Sequence, residues 1–341
     1  MKKIIYYITD HGKGHATRSI AIIKKLQENN FDVTIRNSNA KELITHQIPD
    51  AKIIGGLTDV GPIMKKNGFS IDTKKSVYEI CKWINKIESL SSKEIEIFSK
   101  IKPDLVITDI SPMPLLAAKK SHITSIAISN FSWYDVLKFI PKLDLTKLKK
   151  FYDNADLAIK LPLGTSMEHF GKIKNVGLIF RNTTKTKEIV RQELGIKKGK
   201  KMVLFALSGS NHEIQSKKGS NVEYVSLNTK INPKLNPKNL EQVMDGQNYV
   251  LASDLVIGKC GYGLISECLS NGIPFFYVAD KSHIEQMGIE KDLVKRGIYT
   301  RKTLKEIDNM KLDHSFINSL KKPAKEKNDI ENIMIKIREL I

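Results

Sequence analysis

A mixed α/β protein built from two doubly wound parallel sheets is predicted, and three observations predict it. The chain has 341 residues, too many for one ordinary hydrophobic core and enough for two. Near the N-terminus a short apolar run enters a glycine-containing turn and then a helix-periodic segment. The same succession recurs after Asp254. Strand, turn, helix and strand in that order make a βαβ unit, and sheets of such units bind ligands beyond the carboxyl ends of their strands.

The opening reads as a strand over Ile4 to Thr9, a glycine turn over His11 to His15, a helix over Thr17 to Gln27 and a strand over Phe31 to Arg36. Short apolar strands are expected at Leu105 to Thr108 and Ser125 to Ser129, after the helical stretches Val77 to Lys100 and Leu115 to Lys120. These make a first Rossmann-like domain over residues 1–161. Residues 162–186 change character, with Gly164, Gly171 and Gly177 among mixed polar residues, and read as an interdomain linker.

A second Rossmann-like domain is expected over 187–322. Its helix Glu188 to Leu194 stops at Gly195, and a buried strand over Lys201 to Leu207 runs into Ser208, Gly209 and Ser210. Asn211 to Gln247 is poor in periodicity, and Pro233 and Pro237 point to loops with short elements at most. Then follow a strand (Asp254 to Ile257), a loop (Gly258 to Gly263), a helix (Leu264 to Ser270) and a strand (Pro274 to Val278). Asn271-Gly272 ends that helix, because both residues accept the left-handed cap and Pro274 cannot prolong it. Residues 323–341 hold a terminal helix, patterned by Ile330, Ile333, Ile335 and Ile337, which is expected to pack back on the first domain.

Composition narrows the partners. A hydrophobic fraction of 41% and a charged fraction of 27% are those of a folded chain without extended disorder. Lys and Arg number 56 against 37 Asp and Glu, a net charge of +19, and such a field favours nucleic acid, anionic membrane or a phosphorylated ligand. The lysines are spread in pairs such as Lys24-Lys25 and Lys217-Lys218, without an arginine-rich arm, so no specific nucleic acid is expected. Peripheral contact with an anionic membrane stays open. Cys81, Cys260 and Cys268 show no disulfide or zinc-ligand spacing, which fits the reducing cytoplasm, at most peripheral to the inner face of a membrane. The apolar stretch Ile4 to Ile8 is too short for a signal sequence, and no stretch approaches the length needed to span a bilayer.

The first chemical motif is His11-Gly12-Lys13-Gly14-His15-Ala16-Thr17-Arg18. Glycines let the backbone approach a ligand, and the N-terminus of the following helix aims N–H groups at the same spot. His15 can take a proton near neutral pH, as deprotonating an acceptor hydroxyl requires. The duller reading is a structural turn with His15 capping the helix; two histidines and an arginine in one turn favour function. Thr17 stands where the dinucleotide fingerprint needs its third glycine and no GK[ST] follows, so simple dinucleotide or ATP binding is demoted.

The second motif is Gly258-Lys259-Cys260-Gly261-Tyr262-Gly263 with Ser266 and Glu267. A glycine loop at a helix N-terminus cradles a diphosphate, Lys259 adds a fixed cation, and Glu267, one turn past Gly263, can accept from a ribose diol. An ordinary strand-to-helix turn with a solvated glutamate is the alternative. Ser208, Gly209 and Ser210 can face phosphate with backbone N–H groups, and Glu285 and Gln286 can hold hexose hydroxyls or lie on a surface helix. Asp109, Asn130 and Trp133 fall at carboxyl ends of first-domain strands, Trp133 to stack on a sugar or simply to pack. No DxD triplet occurs, and neither a metal nor a cofactor is expected.

Here the residues resemble a known family. GYGLISECLSNGIPFFYV (residues 261–278) is similar to the nucleotide-sugar-binding segment of GT-B glycosyltransferases, including the N-acetylglucosaminyltransferase that makes lipid II. HGKGHATR (11–18) resembles that enzyme's N-terminal glycine loop. HGKGHATR, TDISP, NFSW, RQELGI and ASDLVIGKCGYGLISE occur in the order found in the glycosyltransferase-like N-terminal region of plant L-arabinokinase and related prokaryotic stand-alone proteins. The sugar-kinase half is absent, and with it any reason to expect a kinase.

The resemblance implies two Rossmann-like domains facing across a cleft and transfer of a hexosyl unit from a nucleoside diphosphate sugar, a UDP-sugar favoured. The acceptor would be a glycan, lipid or small molecule. It implies His15 as base, Glu267 as ribose ligand seven residues before Pro274, and Arg18 or Lys259 assisting the phosphates. A nucleotide-sugar 2-epimerase and a non-catalytic nucleotide-sugar-binding or regulatory module on the same fold are the rivals.

Overall fold

The computed structural model describes residues 1–12, 14–65, 71–138, 140, 143–207, 210–280 and 283–341. The chain divides into two compact units. The first comprises Met1–Ile63, Ile71–Ile179 and Asn328–Ile341, and the second is built on Phe180–Lys327.

Seven strands make the sheet of the first unit: β1 (Lys3–Ile8), β2 (Asp32–Arg36), β3 (Lys52–Ile54), β4 (Leu105–Asp109), β5 (Thr124–Ser129), β6 (Leu157–Lys160) and β7 (Ile173–Asn175). All pairings are parallel, in the order β3-β2-β1-β4-β5-β6-β7. Ile4, Ile5, Tyr6, Tyr7 and Ile8 are all fully buried, as a central strand covered on both faces requires. The chain winds outward from β1 in one direction to β3 and then in the other from β4, so the order reverses between β1 and β4. Ligands of doubly wound sheets bind at such a switch point.

Helices clamp this sheet. The helix Thr73–Ile101 starts where the Asp72 side chain accepts from the Lys75 N–H, and ends with Lys102 in the left-handed conformation, φ 53°. It buries Ile80, Trp83, Ile84, Ile87 and Phe98 at helical spacing. Its Glu94 accepts from the Tyr7 hydroxyl at 2.5 Å and from Arg36 Nη2 at 2.5 Å, a buried triad joining the helix to β1 and β2. The terminal helix Ile330–Arg338 belongs to the first unit and buries Ile333, Met334 and Ile337. Lys25 on the helix Gly14–Glu28 reaches Glu331 at 2.6 Å, and Asp329 accepts from the Gly177 N–H at 2.5 Å.

The second unit contains β8 (Lys201–Ala206), β9 (Lys217–Lys218), β10 (Val222–Leu227), β11 (Lys238–Leu240), β12 (Leu255–Lys259), β13 (Phe275–Val278) and β14 (Lys311–Leu312). Five of them form a parallel sheet in the order β11-β10-β8-β12-β13, and β14 pairs with β9. This is the order of the first five strands of the first sheet, with its reversal between β8 and β12. Val203, Phe205, Tyr224, Leu255, Ile257 and Leu312 share one core. β10 lies in the stretch whose periodicity predicted loops. Val222, Tyr224, Val225 and Ser226 are all buried there, so the strand pattern is irregular rather than alternating. Gly272 takes φ 65° at the C-cap of the helix Tyr262–Asn271, as the Asn-Gly signal requires.

Candidate functional site

In the first unit, polar side chains gather at the carboxyl ends of β1, β4 and β5. The helix Gly14–Glu28 follows β1 and carries His15 and Arg18 in its first two turns. Asp109 is the last residue of β4, Ser129 the last of β5, and Asn130 the next. Asp109 is wholly buried, with its Oδ2 3.1 Å from His15 Nδ1. Arg18 Nη2 donates to Asp109 Oδ1 at 2.5 Å and to Ser129 Oγ at 3.0 Å, and the Ser19 hydroxyl donates to Asp109 Oδ2 at 3.2 Å. Arg18 Nη1 donates to Asn130 Oδ1, and Asn130 Nδ2 to the Leu163 carbonyl at 2.7 Å.

Burial alone would raise the Asp109 carboxyl, but Arg18 and His15 overcome it and hold the group at about 2. Asp109 is therefore an anion at every physiological pH. Arg18 Nη2 also lies 2.6 Å from His15 Nδ1. Guanidinium only donates, so the two neighbours of Nδ1 ask for opposite tautomers: Asp109 for a proton on Nδ1, Arg18 for a lone pair.

Beside this cluster Trp133 is 1% exposed, edge-on to His11 with ring centroids 5.2 Å apart and to Phe131 at 5.5 Å. Its indole N–H donates to Asp59 Oδ2 at 2.8 Å. Asp59 also accepts from the Thr9 hydroxyl at 2.8 Å and the Asp10 N–H at 3.2 Å. Burial raises the Asp59 carboxyl to about 6 against these donors. Trp133 is thus packed and tied rather than open. Gly61 closes the group: a Cβ there would come within 2.5 Å of both His11 and Trp133. Gly14 is exposed at the start of its helix, where a Cβ would meet nothing within 4 Å.

In the second unit, β12 ends at Lys259 and Gly261 caps the helix Tyr262–Asn271. A Cβ on Gly261 would meet nothing within 4 Å, whereas one on Gly258 would lie 2.1 Å from Leu264 Cδ2 and 3.1 Å from the Ala206 carbonyl. One glycine therefore leaves open space at the helix start and the other lets strand and helix close up. Burial lowers the Lys259 ammonium below its ordinary value. Tyr262 is 3% exposed, and Gly263 takes the Ser266 hydroxyl on its carbonyl at 3.0 Å. Glu267 is 5% exposed. Its Oε1 accepts from Arg181 Nε at 3.1 Å and Nη2 at 2.9 Å, while Arg181 Nη1 donates to the Met244 carbonyl at 2.8 Å. Burial raises the Glu267 carboxyl and Arg181 counters it.

The structure brings His15, Arg18, Asp109 and Asn130 into one hydrogen-bonded cluster with His11 and Trp133 beside it, all in the first unit. Glu267 follows Lys259, Gly261, Tyr262 and Gly263 on one strand–loop–helix unit of the second. Ser208 and Gly209 lie outside the described residues. Ser210 is buried, and its hydroxyl accepts from the His212 N–H at 3.1 Å. Glu285 and Gln286 are half-buried in the first turn of the helix Ile284–Lys295, and Gln286 folds back to accept the Asp280 N–H at 2.7 Å. Asp59 and Arg181 were missed by sequence reasoning. Neither stands at a recognisable spacing from its partner, 74 residues to Trp133 and 86 to Glu267. Among the described residues there is no group of three or more His, Cys, Asp or Glu side chains placed to hold a metal ion. None of the described helices is long and apolar enough to cross a membrane.

Two parallel sheets of one strand order, each with a glycine-opened helix at its switch point, are the parts of a GT-B glycosyltransferase, and that is the class this fold defines. The chain belongs to the family described as Glycosyl transferase family 1, whose model matches residues 2–321. It is similar to L-arabinokinase of Arabidopsis thaliana, 28% identical over an alignment of 295 positions that covers 80% of this chain. The match spans only 28% of that longer protein. Among solved structures, Arabidopsis thaliana UGT89C1 superposes with a TM-score of 0.61 at 11% identity, covering 99% of this chain and 93% of the other. Acinetobacter baumannii MurG superposes with a TM-score of 0.54 at 12% identity, covering 99% and 100%. At such identities the likeness is one of fold.

Proposed function

We propose that this glycosyltransferase moves a sugar from a nucleoside diphosphate sugar, UDP-linked by preference, to an acceptor hydroxyl, with His15 as the base. The observation that carries the reading is the buried His15–Asp109 pair at the switch point of the first sheet. The two hydrogens of Arg18 Nη2 are already accepted by Asp109 Oδ1 and Ser129 Oγ, so in this reading the demand of the ionised Asp109 at 3.1 Å prevails over that of Arg18 and the proton lies on Nδ1. That leaves Nε2 with the lone pair that takes the acceptor proton, while Asp109 stabilises the imidazolium that results. Arg18 fixes Asp109 and joins it to Asn130, so its role is to position. His11, Gly14, Asn130 and Trp133 shape the acceptor side of the same unit.

The donor diphosphate is assigned to the second unit. Gly261 and Gly263 open the helix at its positive end, and an anion beside Lys259 favours its charged form against the burial that lowers it. A well-placed donor of this kind contributes roughly 3–4 kcal/mol to stabilising charge that grows on a leaving group. These groups meet the diphosphate charge with protein donors, and the reaction is proposed to run without a metal. Glu267 keeps Oε1 on Arg181 and presents Oε2 to the ribose hydroxyls, with Glu285 and Gln286 on the hexose side. UGT89C1 has been crystallised with UDP and with UDP-L-rhamnose, which supports a UDP-sugar donor on this fold. The acceptor class and any peripheral contact with an anionic membrane remain part of the proposal.

A thermal-shift screen against UDP, GDP, dTDP, ADP and their sugar conjugates tests it, because a ligand bound only to the folded state raises Tm. UDP and a UDP-sugar are expected to raise Tm, Glu267→Ala to abolish the rise, and His15→Ala to keep it while losing turnover. A rise that survives Glu267→Ala would overturn the donor assignment. Absence of any nucleotide shift would leave the fold without its proposed activity.

A further inference from the structure

The residue after Asp109 has an unusual backbone. Ile110 takes φ 81°, a left-handed conformation rare for any side chain and strained for a β-branched one. It is 2% exposed. Such strain persists only where the surroundings over-determine it, and it gathers at functional sites. The surroundings here are specific. The Tyr152 hydroxyl, at the end of the helix Thr146–Tyr152, donates to the Ile110 carbonyl at 2.5 Å and accepts the Trp133 N–H at 3.0 Å. Thr108 donates to the Ser111 carbonyl at 2.9 Å, and the Ser111 hydroxyl to the Thr58 carbonyl at 2.7 Å.

We propose that Tyr152 is a positioning residue: its hydroxyl holds the strained turn after β4 against the turn after β5 and so sets the Asp109 carboxylate on His15. The inference rests on the His15–Asp109 reading above. The mechanical link is short. Asp109 shares a peptide with Ile110, so relaxation of Ile110 toward a negative φ rotates that peptide and carries the carboxylate with it. Asn130 and Phe131, which face Arg18 and His15, lie on the second turn that the same hydroxyl grips. Tyr152 is wholly buried, and burial holds its hydroxyl in the neutral, donating form at any working pH. Asp59, Asp135 and Asp109 nearby push in the same direction.

The groups that face His15 define what the experiment reads. Asp109 comes from β4, Arg18 from its own helix and the Phe131 ring from the turn after β5, 5.2 Å away. The ring nitrogens of His15 in the full chain are followed at one fixed pH by nitrogen NMR of histidine-labelled protein, with His15→Gln to assign the signals. Tyr152→Phe is expected to shift the Nδ1 signal, because the carboxylate 3.1 Å from that nitrogen moves away. Asp109→Asn is expected to shift it at least as far. Tyr7→Phe removes a hydroxyl just as deeply buried, from Glu94, and is expected to leave His15 unmoved.

A second variant separates positioning from loss of structure. Ile110→Gly accepts φ 81° without strain, so in that background Tyr152→Phe is expected to shift His15 by less than half as much. If Asp109→Asn moves the Nδ1 signal and Tyr152→Phe does not, Tyr152 has no positioning role and the dyad stands. If Tyr7→Phe moves it as far as Tyr152→Phe, the effect is general loosening and the proposal is overturned. If even Asp109→Asn leaves His15 unmoved, the dyad itself is refuted, and the positioning role with it.

Discussion

At the scale of single residues, the site depends on buried charges that hold one another. Arg181 and Glu267 are the sharpest case: both are nearly inaccessible, and two guanidinium nitrogens converge on one carboxylate oxygen. Removing one partner of a buried pair leaves an uncompensated charge, at a cost of about 3–5 kcal/mol. Arg181→Met is therefore expected to lower the urea midpoint of the second unit markedly, while Glu267→Gln, which keeps an oxygen toward Arg181, costs less. The sign of the pH dependence follows from Glu267 being raised in the folded state: its contribution is full in acid and lost as pH rises through the raised value. In Arg181→Met the carboxyl loses the partner that counters burial, so this loss is expected to move to higher pH. Arg181 could not be read from the sequence because nothing local marks it; the fold alone brings residues 86 positions apart together. His15 and Glu267 could be read, because each sits a fixed short distance from a glycine that announces a strand end.

At the scale of elements, the legible parts were those with their own punctuation. β1 with its glycine turn, β12 with Gly258 to Gly263, and the Asn271-Gly272 cap all state their boundaries locally. β10 does not, because its buried run is short and set among lysines and prolines. The turn after β6 was read only as a change in composition, yet it seats Asn130. A Cβ on Gly164 would lie 1.7 Å from the Asn130 carbonyl oxygen, a backbone atom that cannot rotate away. The Thr165 N–H donates to that same oxygen at 2.8 Å. Gly164→Ala is thus expected to push the two turns apart, destabilise the first unit by about 1–3 kcal/mol and reduce turnover through Asn130 and Arg18. Gly171, whose Cβ would meet nothing within 4 Å, supplies the control. Gly171→Ala is expected to leave stability within about 0.5 kcal/mol of wild type, both variants being compared by thermal unfolding and sugar transfer.

At the scale of the whole molecule, two features act on any ligand: the repeated sheet order and the net charge of +19. The repeated order gives each unit its own switch point with a glycine-opened helix, which is where a compact phosphate ligand meets fixed N–H donors. The net charge is spread over lysine pairs and acts at longer range, where salt screens it within about 10 Å at 0.1 M. The two respond differently to ionic strength, and this separates a nucleotide-sugar protein from a nucleic-acid protein. A diphosphate neutralises a few local charges, so UDP affinity measured by calorimetry is expected to fall by less than about ten-fold between 0.05 and 0.2 M salt. A duplex held by many lysines releases many counterions, and its affinity over the same range drops by about 10³-fold or more. The expected result is shallow dependence for UDP and loss of duplex binding by about 0.2 M. Duplex affinity that survived with sequence preference, alongside a steep loss of UDP binding, would transfer the function from the switch points to the charged surface.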